Sequence, residues 1–377
     1  MDKNYLLHTS AKALLGIAFA LSPSFLMADV FTQTNLVSDV PGDARNTDPD
    51  LKNPWGVSFS ATSPFWISNQ GTGTSTLYDG AGNKIPLTVP IPAGTPPVTG
   101  PTGQVFSGGT AFALPGGGPT SFIFDTLNGT IDGWGGTNPA VQLASTPGAI
   151  YTGLALANAG GSNFLYAADS TGQIRVFNST YHQVTLSGNF TDPNAMPGFV
   201  PFNIQLVGSN LYVTYAKLTA MGTGLPGGYV DAFNTNGTFI NRVASGGALD
   251  APWGVTLAPA GFGSFGGDLL VGNFGNTGAT AGEINAYKLN ADGSGAFAGT
   301  LNGANGQPIV NDFLWALEFR TGGANVNPDA LYFTAGINGQ QDGLFGEIAT
   351  PEPGMALPVL LGLAGFALLQ RRQRARR

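Results

Sequence analysis

Apolar and polar residues alternate with a period of two through short runs of this chain, and the runs come in sets of three. The middle run of each set is the plainest: "FWISN" (65–69), "FIFDT" (122–126), "LYAAD" (165–169), "LYVTY" (211–215), "LLVGN" (269–273) and "LYFTA" (331–335). An opening phrase precedes each, clearest as "NPWGVSF" (53–59), "APWGVTL" (251–257) and "FLWALEF" (313–319), with echoes in "TAFAL" (110–114), "TGLAL" (152–156) and "FNIQL" (202–206). A third run follows: "STLYDG" (75–80), "GTIDGW" (129–134), "QIRVFN" (173–178), "YVDAFN" (229–234), "EINAYK" (283–288) and "GLFGEI" (343–348). Alternation, β-branched and aromatic residues, and Gly/Asn/Asp turns between the runs predict antiparallel strands.

Aligned on Trp55, the equivalent opening positions are Thr110, Thr152, Phe202, Trp253 and Trp315, spaced by 55, 42, 50, 51 and 62 residues. A repeat of this length holding several strands is a propeller blade. The expected fold is therefore all-β, a six-bladed β-propeller over 29–350. Its last repeat stops at a third strand near Ile348, while a strand-like piece, "DVFTQTNLVSD" (29–39), precedes the first. Residues 30–37 are expected to complete blade six from outside, which removes an aggregation-prone edge. Gly56, Gly153, Gly254 and Ala316 suit a crowded axis, and the tryptophans are expected to pack between blades. A second reading makes those tryptophans carbohydrate-stacking platforms.

The two ends carry addresses. Lys3 and Lys12, an apolar stretch over 13–26 and Met27-Ala28 before Asp29 have the layout of a secretory signal peptide (1–28), cleaved between Ala28 and Asp29. At the other end an apolar run, 355–369, lies between Pro351-Glu352-Pro353 and five arginines, Arg371, Arg372, Arg374, Arg376 and Arg377. As a helix that run would be about 22 Å long, short for a hydrocarbon core of about 30 Å. The arginines favour the cytoplasmic side and act as a stop, leaving 29–350 outside. This segment, 351–377, resembles the PEP-CTERM sorting signal of Gram-negative bacteria. The resemblance implies a single transmembrane sorting helix, an exosortase-type transpeptidase as partner, transient anchoring in the inner membrane, and delivery to the cell surface or to an exopolysaccharide biofilm. With its Trp-Gly openings, "LYDG" and "LVGNFG" segments and the ending "LWALEF…ALYFTAG…DGLFGEI", the processed chain is also similar to PEP-CTERM-bearing propellers akin to the NHL and YVTN types. That resemblance implies fold and export, with no established activity.

Charge narrows the partners. Residues 29–350 hold eight Lys/Arg and twenty Asp/Glu, a formal charge of −12, so nucleic acid is a poor partner and cations or neutral glycans are better ones. There is no cysteine, and His182 is the only histidine after the leader, which argues against thiol or serine-triad catalysis and a histidine-built zinc site. Carboxylates remain. Hydrolytic propellers of the gluconolactonase type hold a divalent metal at the axial funnel with Glu, Asp and Asn, and oxygen ligands suit calcium. Here Asn69, Asp125, Asp169 and Asn273 end second strands, with Asn338 as a looser match, and Glu318 sits within an inner strand, where it could instead pair with Arg320 or with another blade. The same Asn and Asp residues also suit ordinary turn geometry. "NADGSG" (290–295) and "DPDLKN" (48–53) resemble fragments of calcium loops without the full pattern, "GGTAFALPGGGPTS" (108–121) reads as a hairpin loop, and 86–103 as an extended surface loop. The sequence thus points to an exported, non-enzymatic binding or matrix protein without a cofactor, with extracellular polysaccharide as an expected partner. A calcium-dependent hydrolase such as a lactonase, and a purely structural part, are the alternatives.

Overall fold

Five of the six opening phrases form the innermost strand of an antiparallel sheet, because their alternating residues can be buried only by a neighbouring sheet on either side. The computed structural model describes residues 30–92, 100–109, 111–218, 224–275 and 279–350. They form six sheets, five of four strands and one of five. The inner strands are Pro54–Ser58, Pro101–Phe106, Tyr151–Ala159, Val200–Val207, Pro252–Leu257 and Leu314–Phe319. Each touches the inner strand of the next blade, and the sixth returns to the first, so the ring is closed.

Blade two differs from the sequence expectation. Its inner strand is Pro101–Phe106, not 110–114; Thr110 lies outside the described residues, and Ala111 to Leu114 belong to the following loop. The segment 86–103 is likewise not all loop. It contains most of the outer strand of blade one, Lys84–Pro90, and the start of blade two, while 93–99 lie outside the described residues.

Closure follows the expected route. Thr32–Ser38 pairs antiparallel with the third strand of blade six, Leu344–Ala349, and a two-residue strand, Asn46–Thr47, runs parallel on its outer side. Leu36 and Val37 are fully buried there, and Phe31 packs against Phe262 and Phe265 of blade five. The leader 1–28 with its cleavage site, and the segment 351–377, lie outside the described residues. Among the described residues no helix is long and apolar enough to cross a membrane.

One irregularity recurs in all six inner strands. The register slips between 54 and 57, 101 and 104, 151 and 153, 201 and 203, 252 and 255, and 314 and 317, so each blade carries a bulge at its opening phrase. There the blades approach backbone to backbone. A Cβ on Gly56 would lie 2.6 Å from the Thr102 carbonyl oxygen, and one on Gly103 only 2.2 Å from the Leu154 nitrogen. Blade four has Asn203 at this position, and its Nδ2 donates to the Trp253 carbonyl at 2.9 Å, making with a side chain the contact to the next blade that glycine makes by proximity.

Candidate functional site on the propeller axis

The axis is closed where the inner strands begin. Trp55, Trp253 and Trp315, from blades one, five and six, fill it. Trp55 stacks on Trp315 with centroids 3.5 Å apart, and Trp253 meets Trp315 edge-on at 5.6 Å. Phe202 of blade four completes the plug at 5.8 Å from Trp315. Blades two and three present Thr102 and Thr152 at the same repeat position, which leaves room for the large rings opposite. Trp253 Nε1 donates to the Thr152 carbonyl at 2.9 Å, and Trp315 Nε1 to Asn53 Oδ1 at 3.1 Å. The three tryptophans are at most 5% exposed, so none offers a face to a sugar, and the stacking-platform reading fails. They also fill the axis instead of the gaps between blades. Trp66, in a second strand, takes that role by stacking on Phe122 of blade two at 3.9 Å.

Three residues beyond the plug position four of the six blades carry a polar side chain. The six equivalent residues are Ser58, Val105, Ala155, Gln205, Thr256 and Glu318. Gln205 Nε2 donates to Glu318 Oε1 at 2.9 Å, joining blades four and six. This pair lies between a small cavity of about 10 Å³ on the plug side and a funnel of about 300 Å³ that opens at the other end. Phe59, Val105, Phe106, Leu156 and Leu206 line the funnel. At its mouth end the inner strands leave Phe106, Leu206 and Leu257 37%, 36% and 42% exposed.

The funnel floor is rich in acceptors. Gln104 uses Nε2 to donate to the carbonyls of Gly56 and Trp66 at 2.8 and 2.5 Å, yet its Oε1 is buried without a hydrogen bond, as is Ser58 Oγ. Burial pushes the Glu318 carboxyl up to about 8, with the Gln205 hydrogen bond pulling more weakly the other way. The group is therefore mostly a neutral acid near pH 7. It does not pair with Arg320, whose guanidinium sits 4.7 and 4.8 Å from the Phe59 and Phe65 rings and donates to the carbonyls of Ser60 and Ser63.

The other four candidate residues do not join Glu318. They lie at or next to the plug-end termini of their second strands, fully buried, and bond mainly within their own blades, with Asn69 Oδ1 and Asp125 Oδ2 left without a hydrogen bond. Asn69 Nδ2 donates to Thr76 Oγ1 at 2.8 Å. Asp125 accepts from the Gly103 nitrogen at 2.6 Å and Thr102 Oγ1 at 2.7 Å, holding the bulge of blade two. Asp169 accepts from the nitrogens of Ile150 and Thr171 and pairs with Arg175 Nε at 2.6 Å. Asn273 accepts from the Asp250 nitrogen and donates to the carbonyls of Ala248 and Thr280. Asn338, the looser match, is exposed and donates to Asp342 Oδ2 at 2.9 Å. A calcium ion in the funnel would have one carboxylate, and among the described residues no three His, Asp or Glu side chains gather as a metal requires. This donor set does not fit a calcium centre.

The weaker motifs also resolve into structure. Lys84 pairs with Asp48 and Asp50 of the "DPDLKN" loop at 2.8 and 2.9 Å. The glycine-rich 108–121 folds back through an Ala113–Pro119 bridge and buries Phe112. His182 is exposed beside a turn, with Nδ1 2.9 Å from Thr180 Oγ1. Gln104, Gln205 and Ser58 were the residues that sequence reasoning passed over; their signal was a polar side chain inside an otherwise apolar inner strand.

No family model matches the chain. Over 335 residues it is 34% identical to "Uncharacterized protein R648" of Acanthamoeba polyphaga mimivirus, an alignment spanning 83% of this chain and 78% of that one. The chain belongs to the R648 family. A second mimivirus protein, "Uncharacterized protein L690", is 30% identical over 328 residues, 81% of this chain and 82% of its own. Among solved structures, this R648-family member is similar in fold to the soluble aldose sugar dehydrogenase Asd of Escherichia coli, with a TM-score of 0.50, 12% identity, and coverage of 85% of this chain and 100% of that one. A streptogramin B lyase aligns with a TM-score of 0.47 and 13% identity over 86% of this chain and 99% of its own. At these identities the likeness concerns the propeller alone.

Proposed function

We propose that this protein is an exported, non-enzymatic binding protein of the cell surface or extracellular matrix, and that its ligand enters the axial funnel. The observation that carries the reading is the Gln205–Glu318 pair at the floor of an apolar-walled funnel, with the buried, unpartnered acceptor Gln104 Oε1 and hydroxyl Ser58 Oγ among the residues around it. Such a floor favours a ligand that brings hydrogen-bond donors on a compact end and apolar faces behind them. A hydroxyl-rich end of an extracellular polysaccharide has that character, and a neutral glycan is not repelled by a formal charge of −12 over 29–350. Export through the 1–28 leader and exosortase sorting at Pro351-Glu352-Pro353 belong to the same proposal and are supported by the order of charges and apolar runs at the two ends.

The test is calorimetric titration of the 30–350 propeller with purified exopolysaccharide and its oligosaccharide fragments. Binding is expected, with a clear loss of affinity in Glu318→Ala and Gln205→Ala proteins that retain the wild-type circular dichroism. Unchanged affinity in both variants overturns the funnel as the site, and no binding by the wild type leaves the structural reading in its place.

A further inference from the structure

Strand pairing fixes which positions of the six blades are equivalent, and one of these positions breaks its pattern. The third-strand residues paired with Ser68, Asp125, Ala168, Thr214, Gly272 and Thr334 are Ser75, Ile131, Ile174, Val230, Ile284 and Phe345. In five blades this residue is apolar and packs against the next blade. Blade one alone has serine, and its pairing partner Ser68 is a second small hydroxyl. Both share a face with Trp66, Leu77 and Val89, which pack against Phe122 and Phe124 of blade two. Both are fully buried, and neither Oγ has a hydrogen-bond partner.

Blade two departs from its own pattern opposite them. The next third-strand position holds Thr76, Asp132, Arg175, Asp231, Asn285 and Gly346. Thr76 is held by Asn69, Arg175 by Asp169, Asp231 by Arg242 and Asn285 by Thr300, each partner lying in the same blade. Asp132 is fully buried and accepts from Thr130 Oγ1 at Oδ2, 2.6 Å away, but its Oδ1 has no partner. Pairing with Phe124 turns Asp132 towards blade one. Trp66 stacks on Phe122 across this junction, and Ser68 and Phe124 each follow two residues later, so Ser68, Ser75 and Asp132 share one level. Trp66 Nε1, also without a hydrogen bond, belongs to the stacked ring nearer the mouth.

Three unpartnered oxygens thus converge where a smaller side chain leaves room, and one belongs to a carboxylate. Of the strands packed around it, Phe65–Asn69, Thr74–Tyr78, Pro101–Phe106 and Val141–Ser145 carry no charge. Lys84 of the outer strand of blade one is committed to Asp48 and Asp50, and Asp125 of the neighbouring strand adds only repulsion. A buried carboxylate without a counter-charge is costly. A single positive charge balances it, whereas a divalent ion would leave one charge over. We propose that an alkali-metal cation binds between blades one and two, with Asp132 Oδ1, Ser68 Oγ and Ser75 Oγ as oxygen ligands. The cation rivets the two blades where the other junctions use an apolar side chain.

Thermal unfolding of the protein in sodium, potassium or choline chloride, at one ionic strength, tests the site. Burial pushes the Asp132 carboxyl up to about 7, with the Thr130 hydrogen bond pulling the other way and Asp125 adding to the rise, so the measurement is made at about pH 8.5, where the carboxylate form dominates. The expected result is a melting temperature several degrees higher in sodium or potassium than in choline, saturating with concentration. Asp132→Asn removes the charge, and Ser75→Val restores the kind of residue blade four carries at Val230; in both, the three salts should give superposable curves. If Asp132→Asn does not fold, Ser75→Val decides alone. Equal melting temperatures of the wild type in all three salts would mean that a proton and water satisfy Asp132, and overturn the cation. A cation response that survives in Ser75→Val overturns the location.

Discussion

Gln205 and Glu318, separated by 113 positions in the chain, meet across the axis at 2.9 Å, and they are the only polar pair that ties blade four directly to blade six among the side-chain contacts described above. Burial raises the Glu318 carboxyl to about 8, far above its ordinary value of 4.5. The folded chain keeps this proton over a range where the unfolded chain has lost it, so the stability this group contributes is fully present below the ordinary value and is lost as pH rises towards 8. Asp125, Asp132 and Asp231, each raised to about 7 by burial, slope in the same direction. Glu318→Gln should therefore share the wild-type urea midpoint at about pH 4 and exceed it at about pH 8. A wild-type-like slope in the variant would mean that Glu318 is not held neutral.

The close approach at the bulges predicts an asymmetric response to a single methyl group. Gly103→Ala forces a Cβ against the Leu154 backbone nitrogen, which cannot move without shifting blade three, and should cost about 1–3 kcal/mol or more. Gly118 has nothing within 4 Å of its Cβ position, so Gly118→Ala should stay within about 0.5 kcal/mol of wild type. Denaturant titration of the two variants checks both numbers.

Closure by the leading strand makes a third prediction. Leu36 is fully buried in the strand that completes blade six, so Leu36→Ala should lose about 2–5 kcal/mol. Deleting 30–40 removes Phe31 and Val37 as well and reopens the edge of Leu344–Ala349, so it should lower the melting temperature further and promote aggregation.

Four of the five tryptophans, Trp55, Trp66, Trp253 and Trp315, are buried, and only Trp134 is partly open to solvent. Acrylamide should quench little of the emission, and Trp134→Phe should remove most of what it does quench. Strong quenching of that variant would show that the axial plug opens in solution.

Calcium should not matter to folding. The four strand-end residues are committed to backbone and side-chain partners within their sheets, and Glu318 stands alone in the funnel. Melting curves in excess chelator and in millimolar calcium are expected to superpose; a calcium-dependent rise would return the metal-dependent hydrolase to consideration.

Most of the scaffold was legible because one repeat position does the same job six times. Second strands such as Phe65–Asn69, Phe122–Thr126 and Leu269–Asn273 coincide with their sequence runs. Blade two was misread because its inner strand carries Thr102 where blade one has Trp55, and Gln104 interrupts the apolar alternation. A better signal was present: Pro54, Pro101, Pro201 and Pro252 each directly precede the plug position of an inner strand, and Thr102 lies 47 residues after Trp55 and 50 before Thr152, a more even spacing than one through Thr110. The site was harder to see. Asn69, Asp125, Asp169 and Asn273 end homologous strands, so they looked like a ring, but strand polarity puts them at the plugged end. Glu318 could be singled out because an inner strand has little room for a charge; its partner Gln205 could not, since only the curvature of the whole ring brings blades four and six face to face.

The tryptophan plug has a kinetic corollary. Because the axis is stoppered where the inner strands begin, the molecule is a cup and not a pipe: whatever enters must back out through the same lip. Residence time should then be governed by crowding at that lip, and a long polymer can insert only a terminus, never thread through.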